Sequence, residues 1–327
     1  MNILVTGGAG FIGSNFVLYM LRKYSGYKIT NIDALTYAGN PENLLSVENH
    51  DNYRFIKADI TNQQAIDEVF NEKYDYVVNF AAESHVDRSI LEPSVFLKTN
   101  ILGTQLLLEA AKKQGVKKFI QISTDEVYGS LGKTGLFTEE TPLAPNSPYS
   151  ASKAGADLLV RSYFETYGFP INITRCSNNY GPYQYPEKLI PLVIKRAMEN
   201  RKIPLYGDGQ NVRDWLYVED HCSAIDLVIH QGSEGEVYNI GGNNERTNIQ
   251  IINKILSELN KPSDLIEFVT DRLGHDKRYG IDASKISREL GWQPEYDFET
   301  GIARTLEWYV NNTQWLENVV KRNEILS

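Results

Sequence analysis

The sequence predicts an α/β protein: a doubly wound parallel sheet with a smaller α/β lobe interleaved towards the C-terminal end. Two observations carry this expectation. Short apolar strand candidates alternate with helical patterns through the first half of the chain, the pattern of a parallel sheet covered by helices on both faces. Three glycines, Gly7, Gly10 and Gly13, directly follow the apolar run Ile3-Leu4-Val5, and twenty residues after the last of them a second apolar stretch ends in Asp33.

In chain order, the strand candidates are Ile3–Thr6, Lys28–Ile32, Arg54–Lys57, Tyr76–Asn79, Lys118–Ile122 and Ile171–Arg175. The first is followed by the glycine turn and a helix over Phe11–Arg22. A pyrophosphate must sit against backbone N–H groups at such a helix start, where side chains would block it and the helix dipole favours negative charge. Asp33 is spaced to accept the ribose hydroxyls, so strand, turn, helix and acid together read as a Rossmann-type nicotinamide nucleotide site. Its carboxylate would repel a 2′-phosphate, and no arginine follows closely in sequence, so NAD is expected rather than NADP. The longest helical patterns are Val95–Gln114 and Ser150–Tyr167.

After about Asn178 the pattern becomes irregular. Pro182, Pro186, Pro191 and Pro204 punctuate it, and Gly207-Asp208-Gly209 marks a turn. A strand over Glu236–Ile240 is placed to return to the sheet, and helical patterns recur at Asn248–Leu259, Ser284–Leu290 and Thr300–Asn311. The expected division is a dinucleotide-binding domain over residues 1–178, with the return strand near 236–240, and a substrate lobe over 179–327.

Composition narrows the partners. The net charge of −9 over 327 residues argues against nucleic acid. No apolar run approaches the roughly 20 residues of a membrane span, and the first residues lack the basic and apolar regions of a signal peptide. Two cysteines, Cys176 and Cys222, make no disulfide framework and fit a reducing cytoplasm. No His or Cys spacing suggests a metal site.

Tyr149 and Lys153 stand four apart at a helix start and so share one face. An ammonium beside a phenol favours the phenolate, which lowers the tyrosine pKa from about 10. Such a phenol can take a proton from a sugar or alcohol hydroxyl as hydride leaves the carbon; the alternative is a surface pair spaced by chance. Asp125 and Glu126 follow the strand Lys118–Ile122. They are either solvated loop acids or an acid/base pair in which one removes a proton and the other donates to a departing hydroxyl. Arg213, Arg272 and Lys188 are cations able to hold a diphosphate. Ile203-Pro204-Leu205-Tyr206 offers an apolar and aromatic wall for a base.

The glycine pattern with the Tyr149/Lys153 pair resembles the extended short-chain dehydrogenase/reductase family. Longer stretches resemble its dTDP-glucose 4,6-dehydratases: Asp33-Ala34-Leu35-Thr36-Tyr37-Ala38-Gly39-Asn40, Ala81-Ala82-Glu83-Ser84-His85-Val86-Asp87-Arg88-Ser89, Ser123-Thr124-Asp125-Glu126-Val127-Tyr128-Gly129, Ser177-Asn178-Asn179-Tyr180-Gly181-Pro182 and Arg213-Asp214-Trp215. Leu273 departs from that pattern, which has proline there. The resemblance implies catalysis by Thr124, Asp125, Glu126, Tyr149 and Lys153, with Tyr149 opening an oxidation at C4, Glu126 as base at C5 and Asp125 as acid at the C6 hydroxyl. It implies NAD held by Gly7, Gly10, Phe11, Ile12, Gly13, Asp33, Asp59, Ile60, Ala81, Ala82 and Thr99, besides Tyr149 and Lys153; Asp59 can also serve as a helix cap. For a dTDP-glucose substrate it implies Ser84, His85, Arg88, Asn178, Asn179, Lys188, Leu189, Pro204, Tyr206, Arg213, Asn248, Arg272, His275 and Tyr279. A homodimer through the helices Val95–Gln114 and Ser150–Tyr167 is implied as well. The alternatives on the same fold are another nucleotide-sugar dehydratase, an epimerase, which has no water to eliminate and so no use for the Asp125-Glu126 pair, and a decarboxylase, which should carry a different residue in place of Asp125; a non-catalytic NAD-binding protein would have no use for Thr124, Tyr149 and Lys153 together.

Overall fold

The structure, a computed structural model, describes residues 1–271 and 275–326. Arg272 and Leu273, two positions singled out from the sequence, lie outside the described residues. The first half runs β1 (Asn2–Thr6), α1 (Phe11–Lys23), β2 (Lys28–Asp33), β3 (Tyr53–Lys57), α2 (Gln63–Val69), β4 (Tyr76–Asn79), α3 (Val86–Leu91), α4 (Pro93–Phe96), α5 (Thr104–Gln114), β5 (Lys118–Thr124), α6 (Pro148–Tyr167) and β6 (Ile171–Cys176). The second runs β7 (Asn178–Tyr180), α7 (Leu189–Met198), β8 (Ile203–Tyr206), β9 (Val212–Tyr217), α8 (Val218–Gln231), β10 (Val237–Ile240), β11 (Glu245–Thr247), α9 (Asn248–Glu258), β12 (Ile266–Val269), α10 (Ser284–Leu290), α11 (Phe298–Asn311) and α12 (Thr313–Leu326).

Seven strands form one parallel sheet in the order β10-β6-β5-β4-β1-β2-β3. Strand order reverses between β1 and β4, and a crevice for ligands opens at the carboxyl ends on either side of such a switch. Every residue of β5 is buried, as a central parallel strand covered on both faces requires. One face packs Phe16, Val17 and Met20 of α1 against Cys222, Ile225 and Val228 of α8. The other packs Ile66 of α2, Leu107 and Leu108 of α5 and Val160 of α6. A separate core, including Ile190, Val193, Ile251, Ile255, Ile302 and Tyr309, supports the second lobe.

The return strand exists as expected: β10 pairs parallel with β6. The lobe is therefore threaded through the sheet, since α8, β10 and α10 all come back to the first core. The pattern Val95–Gln114 does not form one regular α-helix. A π-helical stretch over Leu97–Gly103 separates α4 from α5. The wider turn carries Asn100, whose side chain accepts from the Glu83 N–H at 2.9 Å and donates to the Glu83 carbonyl at 3.0 Å and to Ser152 Oγ at 2.8 Å. Among the described residues, no cluster of three His, Cys, Asp or Glu side chains is placed to hold a metal ion, and no helix is long and apolar enough to cross a membrane.

Candidate active site

The nucleotide cradle is built by backbone proximity. Gly7 adopts φ +68°, and a Cβ there would lie 2.6 Å from the Ala81 nitrogen; one at Gly13 would collide with the Gly7 carbonyl oxygen. Those two glycines are demanded by strand and helix packing. A Cβ at Gly10 meets only the Gly7 oxygen, at 3.2 Å, and Gly10 is the N-cap of α1 facing the cavity. A side chain there would fill the space in which a pyrophosphate meets the helix start, so the cradle fits NAD. Asp33 closes β2 with both carboxylate oxygens engaged, Oδ2 accepting from Ala9 N–H at 3.0 Å and Oδ1 from Leu35 N–H at 2.8 Å. Phe11, Ile12, Asp59, Ile60, Ala81, Ala82 and Thr99 line the same cavity.

The cavity continues to Thr124, Asp125, Glu126, Tyr149 and Lys153. Ser147 caps α6 in a reciprocal capping box with Ser150, with Pro148 at the first turn, and this sets Tyr149 at the helix entrance. Thr124 Oγ1 accepts from the Glu126 N–H at 3.2 Å, donates to Asp125 Oδ1 at 3.3 Å, and bonds the Tyr149 phenol. One hydroxyl thus ties the acid pair to the tyrosine. The other oxygen of Asp125, Oδ2, is buried with no hydrogen-bond partner among the described residues.

A family model described as GDP-mannose 4,6 dehydratase matches residues 4–305. A dTDP-glucose 4,6-dehydratase of Xanthomonas campestris is 52% identical, over 97% of this chain and 95% of that one. The chain belongs to the dTDP-glucose 4,6-dehydratase family. The crystal structure of the Bacillus anthracis dTDP-glucose 4,6-dehydratase in complex with NAD is 57% identical, with a TM-score of 0.92 over 98% of this chain and 99% of that one. The Streptomyces venezuelae dTDP-glucose 4,6-dehydratase, solved with NAD and a further ligand bound, is 49% identical with a TM-score of 0.95 over 98% and 100% of the two chains.

Electrostatics act strongly on Asp125 in this member of the dehydratase family. Burial, then the neighbouring charges of Glu126 and Asp214, push Asp125 well above the usual carboxylate range, against the opposing pull of Arg213 and Thr124. The shift favours the protonated form of Asp125, the form required of an acid. The phenol of Tyr149 is not lowered as the sequence suggested. Burial first, and then Glu126, raise it well above the ordinary phenol value. Lys153 is not among the main influences on that phenol, and its Nζ donates to the Ile122 carbonyl at 2.6 Å. Burial also lowers Lys153 from its usual value, opposed by Asp157.

The residues expected at the substrate fall into three groups. Ser84, Asn178, Asn179 and Lys188 line the cavity, with Lys188 Nζ donating to the Ser84 carbonyl at 3.1 Å. Asn179 is oriented by His221, 2.9 Å away; burial lowers that histidine to about 3, so it is neutral. His85 and Arg88 stand behind this wall, His85 3.4 Å from Glu187 and Arg88 over the Tyr37 ring at 4.3 Å. Arg213, Tyr279 and His275 gather beyond it around the segment 275–279. Arg213 donates to the Asp276 carbonyl at 2.9 Å and lies 4.3 Å from the centre of the Tyr279 ring. The N–H of Asn248 donates to Asn211, whose side chain also reaches the Asp276 carbonyl. Tyr206 packs edge-on to His275.

Two parts of the sequence reading change. Of the four-residue apolar wall, Ile203 and Leu205 turn into the lobe core, and only Pro204 and Tyr206 remain available, because β8 alternates its side chains. Leu189 likewise packs against the core of the second lobe instead of lining the cavity. An arginine does stand near Asp33: burial raises the Asp33 carboxyl above its usual value, and Arg322 of α12 is among the groups that oppose this. Residues 289 positions apart leave no local pattern to read. Cys176, Gln184, Tyr185 and Glu187 also line the cavity without having been singled out as site residues. Cys176 closes β6 and the other three follow β7, and their place by these strand ends was the available signal.

Proposed function

We propose that the protein is an NAD-dependent hydro-lyase that converts dTDP-glucose to dTDP-4-keto-6-deoxyglucose. The observation that carries this reading is one cavity holding both the Tyr149/Lys153 helix start and the Thr124-Asp125-Glu126 turn. Oxidation at a carbinol needs only the first. An elimination needs two carboxyl groups whose proton affinities differ. NAD, when bound, supplies the acceptor for hydride from C4 and its donor to C6.

Tyr149 takes the proton of the 4-hydroxyl as a phenolate, a form that burial opposes and that the positive nicotinamide ring of NAD would favour when bound, while Thr124 holds that oxygen and Lys153 lies one turn along the same helix face. The ketone at C4 acidifies the C5 proton, which Glu126 removes. Asp125, whose protonated form burial and two neighbouring acids favour, donates to the C6 hydroxyl, and water leaves. Glu126 returns its proton to C5, and the proton held by Tyr149 balances the one Asp125 gave up. The net change is loss of one water, so no external reductant is consumed. Arg213, Asn248, Arg272, His275 and Tyr279 are assigned to the nucleotide diphosphate end, and Pro204 with Tyr206 to the base. The division of labour is residues 1–178, with the return strand, for NAD and 179–327 for the nucleotide sugar.

The reading extends to a cytoplasmic homodimer serving deoxysugar synthesis, rhamnose being the expected end product. Leu97, Leu102 and Leu158 are 51%, 45% and 58% exposed on the helices expected to pair, which supports self-association there. Incubation with dTDP-, UDP-, CDP- and GDP-glucose tests the central claim. A 4-keto product that absorbs in alkali is expected from dTDP-glucose. Unchanged sugar, or a C4 epimer, overturns it.

A further inference from the structure

Arg175 is buried next to the catalytic groups yet does not line the cavity. It lies on β6 in register with Ser123 of β5, one residue before Thr124. Its Nε donates to Asp157 Oδ2 at 2.9 Å and its Nη1 to the Tyr128 hydroxyl at 2.9 Å. That hydroxyl donates onward to Asn239 Oδ1 of β10 at 2.8 Å, and the guanidinium sits 4.9 Å from the centre of the Tyr128 ring. The side chains of Arg175 and Asp157 are 7% and 1% exposed.

The two partners belong to different halves of the chemistry. Asp157 lies one turn beyond Lys153 and two beyond Tyr149, on the same face of α6. Tyr128 ends the short turn that begins with Asp125 and Glu126. A buried ion pair returns little net stability, because desolvation of both charges offsets their attraction. Stability alone is therefore a poor account of it. A planar guanidinium that bonds two elements at once does fix their separation, since its donors leave in set directions.

We propose that Arg175 is a positioning residue that sets the Asp125–Glu126 turn against the Tyr149–Lys153 helix face, so that a sugar oxidised at C4 is already within reach of the groups that eliminate water. The inference rests on the proposed function and adds to it a coupling between its two steps. The same contacts hold Asp157 behind Lys153, where its charge supports the ammonium that burial disfavours.

The test uses the holoenzyme, mixed rapidly with dTDP-glucose while reduced nicotinamide is followed by its absorbance. Tyr128→Phe removes one hydroxyl and keeps the ring, which stacks on Phe137 at 5.1 Å. Arg175→Lys keeps the charge and loses the fork. In both variants the absorbance should rise at close to the parent rate. It should then decay about ten- to a hundredfold more slowly, as displacement of a reacting group by about 1 Å implies. Melting temperature is read alongside. Decay unchanged in both variants overturns the proposal, and so does equal slowing of rise and decay, which marks a purely structural role. If the parent forms no 4-keto product, the functional reading has failed and the coupling falls with it.

Discussion

Arg322 of α12 donates a hydrogen bond to the Leu35 carbonyl at 3.3 Å, joining residues 287 positions apart. The same guanidinium reaches Asn40 Oδ1 at 3.4 Å, Asn318 donates to the Glu42 carboxylate at 3.0 Å, and Trp315 Nε1 donates to Asn43 Oδ1 at 2.8 Å. The segment after β2 is therefore fastened to the last helix, and it directly follows Asp33, which lines the cavity. An enzyme that regenerates its cofactor in every turnover gains from never releasing it.

Arg322→Ala should loosen this fastening. Loss of hydrogen bonds from a charged, partly exposed donor costs on the order of 1 kcal/mol, which corresponds to a several-fold faster release of NAD. NAD remaining after gel filtration reports it directly. NAD should still bind more tightly than NADP, because Asp33 stays in place. Equal retention by parent and variant would remove Arg322 from the account.

Asp125→Asn and Glu126→Gln should slow elimination far more than oxidation. Removing one positioned acid or base typically costs about 10²–10⁴-fold. Reduced nicotinamide should accumulate when dTDP-glucose is added. Tyr149→Phe should instead give none, because the first proton is never removed. The acid/base assignment fails if neither carboxyl variant alters product formation.

Asp125→Asn should also be more stable than the parent near neutral pH. The folded-state pKa of Asp125 lies well above its unfolded value near 3.9, so the native state holds a proton that the unfolded chain releases. Stability from that proton is complete below about pH 4 and is lost as pH rises towards the folded pKa. The amide does not ionise, so the advantage of the variant should grow from acid to neutral pH and reach a few degrees in Tm. Melting curves across that range check the sign. A gap that is constant with pH would mean that Asp125 is not held protonated.

A charge placed at Leu158 should weaken self-association and lower activity together, since Tyr149 and Lys153 begin the same helix. Leu158 is exposed enough for this, whereas Leu106 of α5 is half-buried. Light scattering on the parent should give twice the 37.1 kDa chain mass. A single-chain mass at micromolar concentration would refute the dimer.

Much of the nucleotide half was legible because its signals are local. Gly7, Gly10 and Gly13 stand within one turn and helix start, Asp33 closes the adjoining strand, and Tyr149 and Lys153 are one helical turn apart. Parallel strands buried on both faces read as apolar runs, so β1, β2, β4, β5 and β6 were found to within two residues. Backbone proximity and side-chain period impose these patterns on neighbouring residues, and neighbouring residues are what a sequence displays.

What the fold alone decided involves residues far apart in the chain. The π-helical stretch around Asn100 answers to Glu83 and Ser152, seventeen positions before it and fifty-two after. The raised proton affinity of Asp125 depends on burial and on Asp214, and the phenol of Tyr149 is set more by Glu126 than by the lysine beside it in sequence. The Arg175–Asp157–Tyr128 junction and the Arg322 contact to Leu35 join segments with no shared period. Desolvation and Coulomb attraction act on distance in space, so the sequence could name candidate groups while only the packed chain could set their charges and their spacing.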